Sequence, residues 1–229
     1  MRMKKNSCLR LHYNEYMTTV HHTSHPLIAH KLSLLRDVNT KPKLFRELIS
    51  ELSALLTYEA TMDMSTEEIR IKTPLVETST KQVGEKSGIV PILRAGLGMV
   101  DGILRYLPNA KVLHIGLYRD EKTLQPIEYY NKLTETCSID RVFVVDPMLA
   151  TGGSVTATID ILKKWGAKKI TFIGIIAAPE GIAEVQKNHP DVQIYIAAID
   201  ERLTTKNDSF PPGYIFPGLG DAGDRQFGT

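Results

Sequence analysis

The hydrophobic positions of this chain change their spacing partway along the sequence. Within residues 27–64 they recur at helical intervals, most clearly in the leucine-rich stripe at 44–56, and this predicts two helices broken near Thr40-Lys41-Pro42. A stripe of this kind is typical of core or subunit packing, so we expect no chemistry there. Residues 65–87 mix threonine, glutamate and lysine with short apolar pieces, which predicts a strand-and-turn segment.

From residue 89 onward, short β-branched runs alternate with helical stretches. The predicted strands are 89–93, 111–117, 141–145, 170–176 and 192–199, and the predicted helices are 97–106, 154–165 and 181–188, with Gly166 as a C-terminal cap. This alternation predicts an α/β fold with a mostly parallel sheet flanked by helices. Ligands of such sheets bind beyond the carboxyl ends of the strands, so the loops there are the places to look for chemistry.

Composition is that of an ordinary globular protein. The 229 residues include 42% hydrophobic and 24% charged positions, with a net charge of +2, which fits a single domain at 23–229 and disfavours a broad nucleic-acid surface. Residues 1–22 are basic and irregular and lack the apolar segment of a signal peptide, so we expect a flexible extension, with Met17 as an alternative start. Two cysteines without metal-type spacing, and no apolar run of membrane-spanning length, indicate a cytoplasmic protein without a membrane segment.

A short loop with two glycines follows the predicted strand 141–145 and leads into a helix. Gly152 and Gly153 would let backbone N–H groups converge on an anion at the helix N-terminus, and two neighbouring hydroxyls add donors. The loop contains no Walker sequence, which disfavours an ATPase. Asp146 ends the strand and could accept hydrogen bonds from sugar hydroxyls, so the loop predicts a ribose 5-phosphate site. The alternatives are a tight turn without a ligand and, for Asp146, a helix cap.

The segment from Val144 to Ser154 resembles the phosphoribosyl-pyrophosphate (PRPP) loop of uracil phosphoribosyltransferases, and the likeness extends from about His25 to the C-terminus. It implies the type I phosphoribosyltransferase fold and the synthesis of UMP and diphosphate from uracil and PRPP in pyrimidine salvage. The loop residues that it implies for PRPP binding are Asp146, Pro147, Met148, Leu149, Ala150, Thr151, Gly152, Gly153 and Ser154. Many phosphoribosyltransferases carry two adjacent acidic residues here. Asp146-Pro147 departs from that pattern, as the uracil enzymes do, which argues against metal anchoring by an acidic pair.

Two arginines follow neighbouring predicted strands and are candidates for binding the pyrophosphate. Arg94 lies in a Gly-rich segment that opens a helix, and Arg119 lies in a loop that we expect to be mobile. A guanidinium group stays charged and can hold phosphate oxygens through two parallel hydrogen bonds. A surface ion pair is the alternative for each. The resemblance implies that both contact PRPP, and that Arg94, Asp146 and Asp221 are the catalytic residues.

The segment 200–229 is rich in glycine and proline and is predicted to be an ordered C-terminal hood. Its part 213–224 resembles the uracil-recognition segment of the same family, in which backbone N–H and C=O groups match the edge of the base. The residues implied to bind uracil are Tyr214, Ile215, Gly220, Asp221 and Ala222. Asp221 is also implied to bind PRPP and to lie near the metal, Mg²⁺, which PRPP itself mostly holds. Composition alone also allows a simple C-terminal cap, and residues 202–212 are predicted to form a flexible cover over the base site.

Two other functions stay open at this point. A nucleotide-sensing RNA-binding protein on the same fold is disfavoured because the lysines are scattered rather than massed. A different base specificity is harder to exclude, because a backbone-lined pocket leaves little trace in the sequence. The resemblance also implies a homodimer or homotetramer and allosteric control by GTP, for which the residues themselves carry no independent sign.

Overall fold

The computed structural model describes residues 20–119, 126–131, 133 and 135–229, with the backbone alone for 117–119 and 126–131. The helices are α1 (Pro26–Arg36), α2 (Pro42–Ala60), α3 (Leu97–Leu104), α4 (Gly153–Trp165), α5 (Pro179–Asn188) and α6 (Ala222–Phe227). The strands are β1 (Val20–His22), β2 (Thr66–Lys72), β3 (Glu77–Val83), β4 (Ser87–Pro91), β5 (Lys111–Val112), β6 (Ile115–Arg119), β7 (Pro126–Asn131), β8 (Arg141–Val145), β9 (Met148–Leu149), β10 (Lys169–Ala177), β11 (Gln193–Ile199), β12 (Arg202–Leu203) and β13 (Ile215–Phe216).

A seven-stranded sheet organises the domain. Its order is β1-β11-β10-β8-β4-β5, with β9 added to β10, and every pairing within it is parallel. The predicted α/β fold with a mostly parallel sheet is therefore confirmed. Because the strands run in one direction, the loops after β4, β8 and β11 leave the sheet at the same edge.

Helices cover both faces of the sheet, and the central strand β8 shows how. Phe143 and Val145 belong to a core cluster shared with α1, α2 and α3, whereas Val142 and Val144 belong to a second cluster shared with α4 and α5. Successive side chains of a strand point to opposite faces, so a strand between two helical layers must be apolar throughout. The leucine-rich stripe at 44–56 is mostly buried in the first cluster, which confirms its interpretation as core.

The predicted boundaries of the helices follow local sequence rules. Both α1 and α2 begin at a proline, whose fixed φ and missing N–H suit the first turn of a helix. The break predicted near Thr40-Lys41-Pro42 is confirmed. Gly166 adopts a φ of 102° as the C-cap of α4, where its N–H reaches the carbonyls of Leu162 and Lys163. No helix in the described part of the chain is long and apolar enough to cross a bilayer.

The local structure differs from the sequence prediction at several places. The single strand at 111–117 is wrong, because the chain leaves the parallel sheet after β5 and β6 pairs instead with antiparallel β7. Residues 1–19 lie outside the described residues, and Val20–His22, at the end of the predicted extension, forms an edge strand that pairs with β11. The tail contains a helix, α6, that was not predicted. The strand-and-turn segment is the antiparallel hairpin of β2 and β3.

Candidate active site

The loop between β8 and α4 wraps a cavity of about 180 Å³ at the carboxyl edge of the sheet. The residues that line it are Asp146, Met148, Leu149, Ala150, Thr151, Gly152, Ser154, Val155 and Gly213. Pro147 lies in the same loop and Gly153 is the first residue of α4, so these two complete the run from Asp146 to Ser154 that was predicted for PRPP binding. Since Gly213 belongs to the C-terminal segment, the predicted phosphate loop and the predicted hood share one cavity.

Gly152 is the residue that makes this loop suitable for an anion. It is the N-cap of α4 with a φ of 83°, a backbone conformation that favours glycine. A Cβ at this position would lie 2.8 Å from the carbonyl oxygen of Gly181 at the start of α5, so the close approach also requires glycine. The first N–H groups of α4 have no acceptor within the helix and carry the positive end of its dipole. An anion in the cavity would accept hydrogen bonds from these N–H groups and would be stabilised by the positive end of the dipole.

Asp146 lies half-buried at the end of β8, and its Oδ1 accepts a hydrogen bond from the backbone N–H of Met148 over 3.1 Å. Burial raises the pKa of this carboxyl to about 7, the hydrogen bond from Met148 opposes the rise, and the negative charge of Asp221 adds to it. Helix capping does not explain Asp146, because the N-cap of α4 is Gly152. The carboxyl group thus lines the cavity and has a pKa near neutral pH.

Arg94 follows β4 and pairs with the C-terminal segment. Its Nη2 donates to Oδ1 of Asp224 over 3.1 Å, and its side chain is 59% exposed. The surface ion pair considered as an alternative for Arg94 is therefore present, but its partner belongs to the segment predicted to bind the base. Gly96 brings this loop close to the cavity, because a Cβ there would lie 2.5 Å from the carbonyl oxygen of Val145, next to Asp146.

Arg119 is only partly described. The structure places it as the last residue of β6, paired with Pro126 of β7. Its side chain and the residues 120–125 lie outside the described residues. A role for Arg119 in binding the pyrophosphate stays a prediction.

The predicted uracil-binding residues lie on β13 and at the start of α6. Ile215 and Ala222 are buried, Gly220 adopts a φ of 79°, and Tyr214 is 39% exposed. Asp221 is the N-cap of α6 and accepts a hydrogen bond from the N–H of Asp224 over 2.9 Å. Tyr214 therefore keeps part of its side chain at the surface, whereas Ile215 packs into the core.

Comparison with known proteins identifies the family. The sequence matches the family model of uracil phosphoribosyltransferase over residues 22–229. It is 59% identical over 214 residues to the uracil phosphoribosyltransferase of Clostridium perfringens (strain SM101 / Type A), a match that covers 93% of this chain and 100% of the relative. The chain belongs to the uracil phosphoribosyltransferase family.

Two solved structures resemble this chain in fold. The AQ2163 protein of Aquifex aeolicus superposes with a TM-score of 0.83 and 38% identity, covering 91% of this chain and 98% of that one. Adenine phosphoribosyltransferase of Leishmania donovani superposes with a TM-score of 0.51 and 16% identity, covering 84% of this chain and 90% of that one. The second likeness shows the shared phosphoribosyltransferase fold only.

In this family member, residues 202–212 form an arm closed by hydrogen bonds. Strands β12 and β13 pair antiparallel, and Thr204 donates to the carbonyl of Pro211 and accepts from the N–H of Tyr214. Arg202 binds both carboxylate oxygens of Asp208 at 2.7 and 2.9 Å and holds the pKa of that carboxyl well below its ordinary value. The flexibility predicted for this arm stays untested.

Sequence reasoning missed the residues that hold the C-terminal segment in place. Arg225 donates to the carbonyls of Leu35 and Leu219, each over 2.8 Å, and Gln226 donates to the carbonyl of Ala95 over 3.0 Å. Through these bonds α6 is joined to the end of α1 and to the loop that carries Arg94. The sequence did offer one sign of further functional residues at this edge. Asp200 follows β11 and is therefore at the same edge of the sheet as Asp146.

The described residues of the site offer carboxylates to a divalent cation, but they do not form a complete set of metal ligands. No group of three or more histidine, cysteine, aspartate or glutamate side chains suited to a metal occurs within the part of the chain described. Asp146 and Asp221 are close enough for the charge of one to raise the pKa of the other, and a cation between them would relieve this repulsion. Carboxylate oxygens are ligands that Mg²⁺ prefers, usually together with substrate phosphates.

Proposed function

We propose that this protein transfers the phosphoribosyl group of PRPP to N1 of uracil, giving UMP and diphosphate in pyrimidine salvage. The observation that carries the proposal is the shared cavity. The phosphate-binding loop from Asp146 to Ser154 and Gly213 of the hood line it together, in a chain that matches the uracil phosphoribosyltransferase family over residues 22–229. A phosphate site next to a base site is what this transfer requires.

The phosphate loop and the two arginines bind different parts of PRPP. The start of α4, with the hydroxyls of Thr151 and Ser154, holds the 5-phosphate. Asp146 accepts hydrogen bonds from the ribose hydroxyls, for which its ionised form is the better acceptor. Arg94 and Arg119 bind the diphosphate group, and Arg94 exchanges its bond to Asp224 for one to the leaving group.

The backbone of the C-terminal segment reads the base. Ile215 and the run from Gly220 to Ala222 present N–H and C=O groups to the two carbonyls and the N3–H of uracil, and Tyr214 covers the ring. Cytosine carries an amino group in place of one carbonyl, so a donor would face a donor in the same pocket. A buried mismatch of this kind costs about 1–3 kcal/mol, which is enough to favour uracil.

The transfer needs no covalent intermediate with the protein. The bond between C1 of the ribose and the diphosphate oxygen breaks, its electron pair leaves with the diphosphate, and positive charge develops on the sugar. N1 of uracil bonds to C1 from the opposite face and releases its proton to solvent. The protein contributes by holding both substrates in line and by stabilising the charge that develops on the leaving group. Arg94, in the loop after β4, stabilises the charge on the diphosphate.

Mg²⁺ is the cation we propose for this site, held mostly by PRPP and approached by Asp221. When bound, it neutralises charge on the diphosphate. The pair of Asp146 and Asp221 fits such a cation because their negative charges already interact.

The test is single-turnover conversion of labelled uracil and PRPP to UMP by the purified protein, with and without Mg²⁺. Cytosine, orotate and hypoxanthine serve as competing bases under the same conditions. UMP formation that is lost on chelation, together with slower nucleotide formation from each of the other bases, supports the proposal. Activity with another base but not with uracil would replace it by a different specificity on the same fold.

We further propose that the protein forms a homodimer or homotetramer, works in the cytoplasm and responds to GTP. Leu75 and Val76, at the tip of the β2–β3 hairpin, are 95% and 62% exposed, and a partner subunit would remove this apolar surface from water. Sedimentation with and without GTP tests the assembly, and initial rates over a range of GTP concentrations test the activation. A monomer with GTP-independent rates would contradict both.

A further inference from the structure

Arg36 and Asp200 form a two-bond ion pair beneath the predicted base-binding segment. Nη1 and Nη2 of Arg36 donate to Oδ2 and Oδ1 of Asp200 over 2.8 and 2.5 Å. The side chain of Asp200 is only 4% exposed. Two parallel bonds in a buried setting fix the relative orientation of the two groups, which a single bond would not do. The end of α1 is therefore held to the loop after β11.

Both members of the pair also hold the peptide groups on either side of Gly218. The N–H of Gly218 donates to Oδ2 of Asp200 over 2.9 Å, and its carbonyl accepts from Nη1 of Arg36 over 2.6 Å. Gly218 adopts a φ of 65°, and a Cβ there would lie 2.1 Å from the carbonyl oxygen of Ile215. The positive φ of Gly218 and its close approach to Ile215 restrict the conformation of this turn. The hydrogen bonds to Arg36 and Asp200 then hold it in place.

This turn lies between the two parts of the predicted base site. Ile215 precedes it, Gly220 and Ala222 follow it, and Gly218 sets the path from one to the other. Arg225 adds a second attachment, because it donates to the carbonyl of Leu219 and to that of Leu35 at the end of α1. The conformation of the base-binding backbone therefore depends on its hydrogen bonds to the end of α1, although α1 carries no residue expected to contact substrate.

We propose that Arg36 and Asp200 are positioning residues that determine the affinity and selectivity for the base. A pocket that reads the base with backbone groups cannot correct a misplaced peptide by rotating a side chain. Its accuracy depends on what holds the peptides, and here that is the ion pair at Gly218. The inference rests on the proposed function and adds to it the residues that set base recognition.

The experiment compares Arg36→Lys and Asp200→Asn with the wild-type protein in steady-state kinetics. Lysine keeps the charge but cannot donate two parallel bonds to Asp200 and a third to Gly218, and asparagine keeps the shape but loses the charge. We expect KM for uracil to rise about 10-fold or more, as loss of a charge-assisted hydrogen bond implies. We expect KM for PRPP to stay within about 3-fold, and the preference for uracil over cytosine to fall.

Arg141→Lys is the matched control for a purely structural role. Arg141 is fully buried at the opposite, amino edge of the sheet and binds Asp63 and Glu85 over 2.6 and 2.8 Å. This substitution should lower the melting temperature and leave both KM values unchanged. Circular dichroism sets an assay temperature at which each protein is folded, and if one site variant fails to fold the other decides the question.

Each outcome bears on a different claim. A rise in KM for uracil alone supports the inference. Unchanged constants in Arg36→Lys or Asp200→Asn, or a parallel rise in both KM values, would overturn it while leaving the function intact. A wild-type protein that makes no UMP would instead remove the proposed function itself.

Discussion

Nη2 of Arg94 donates to Oδ1 of Asp224 over 3.1 Å and so connects the loop after β4 with the C-terminal segment. Both side chains are half or more exposed, and exposed ion pairs contribute no more than about 1 kcal/mol. The bond is strong enough to orient the guanidinium and weak enough to be replaced by a diphosphate group. In this protein the group predicted to bind the leaving diphosphate is thereby kept next to the base segment.

Arg94→Ala should reduce kcat/KM for PRPP by about 100-fold, because a guanidinium on phosphate oxygens makes charge-assisted bonds of about 1.5–3 kcal/mol each. Asp224→Asn should act in the opposite direction and lower KM for PRPP by no more than about 5-fold, since it frees the arginine from a weak partner. Initial rates at varied PRPP measure both. If Asp224→Asn impaired PRPP use as severely as Arg94→Ala, the ion pair itself would be needed for binding.

The parts of the site that the sequence revealed are those encoded locally. The run Arg141–Val145 is continuously apolar after its first residue because β8 is covered on both faces, and the glycines after it directly mark the phosphate loop. Both features lie within about fifteen consecutive residues, so they could be recognised without knowledge of the fold.

Other parts depend on contacts between distant residues and could not be predicted in this way. Arg94 and Asp224 are 130 residues apart, and Arg36 and Asp200 are 164 apart. Helix α6 has six residues, too short to be stable alone, and it is held by tertiary bonds such as those of Arg225. A charge pair of this kind leaves no periodic pattern, so only the folded structure shows it.

The pKa of Asp146, raised to about 7, predicts a pH dependence of PRPP use. Below this pH the carboxyl is protonated and is the poorer acceptor for the ribose hydroxyls, so kcat/KM for PRPP should rise with pH and level off above about 7. Asp146→Asn should lose this step and remain slow throughout. Asp221→Asn should move the midpoint to lower pH, because the charge of Asp221 contributes to the raised pKa. A midpoint unmoved in Asp221→Asn would contradict the coupling of the two carboxyls.

The same raised pKa predicts how stability depends on pH. In the unfolded chain Asp146 loses its proton near pH 3.8, whereas in the folded protein it keeps the proton until about 7. Between these values the folded state binds more protons, so the contribution of this group to the free energy of unfolding falls as pH rises. Asp146→Asn should therefore be more stable than wild type at about pH 8, by up to about 4 kcal/mol, since the pKa rises by roughly three units and each unit corresponds to about 1.4 kcal/mol. The two proteins should differ less at about pH 4. Urea unfolding at both pH values measures the difference, and equal gains at both would contradict a cause in the ionisation of Asp146.

Gly152→Ala should damage the phosphate loop for two separable reasons. Alanine at a φ of 83° is strained, and its Cβ would lie 2.8 Å from the backbone oxygen of Gly181, which cannot move without shifting α5. Gly213→Ala is the matched control, because Gly213 lines the same cavity at a φ of 88° but a Cβ there meets nothing within 4 Å. Strain alone costs about 1–3 kcal/mol, so Gly213→Ala should lose about that much. Gly152→Ala should lose more and should also raise KM for PRPP, because the N–H groups at the start of α4 are displaced. Thermal unfolding and PRPP saturation curves measure the two effects, and equal losses in the two variants would show that the contact with Gly181 does not shape the loop.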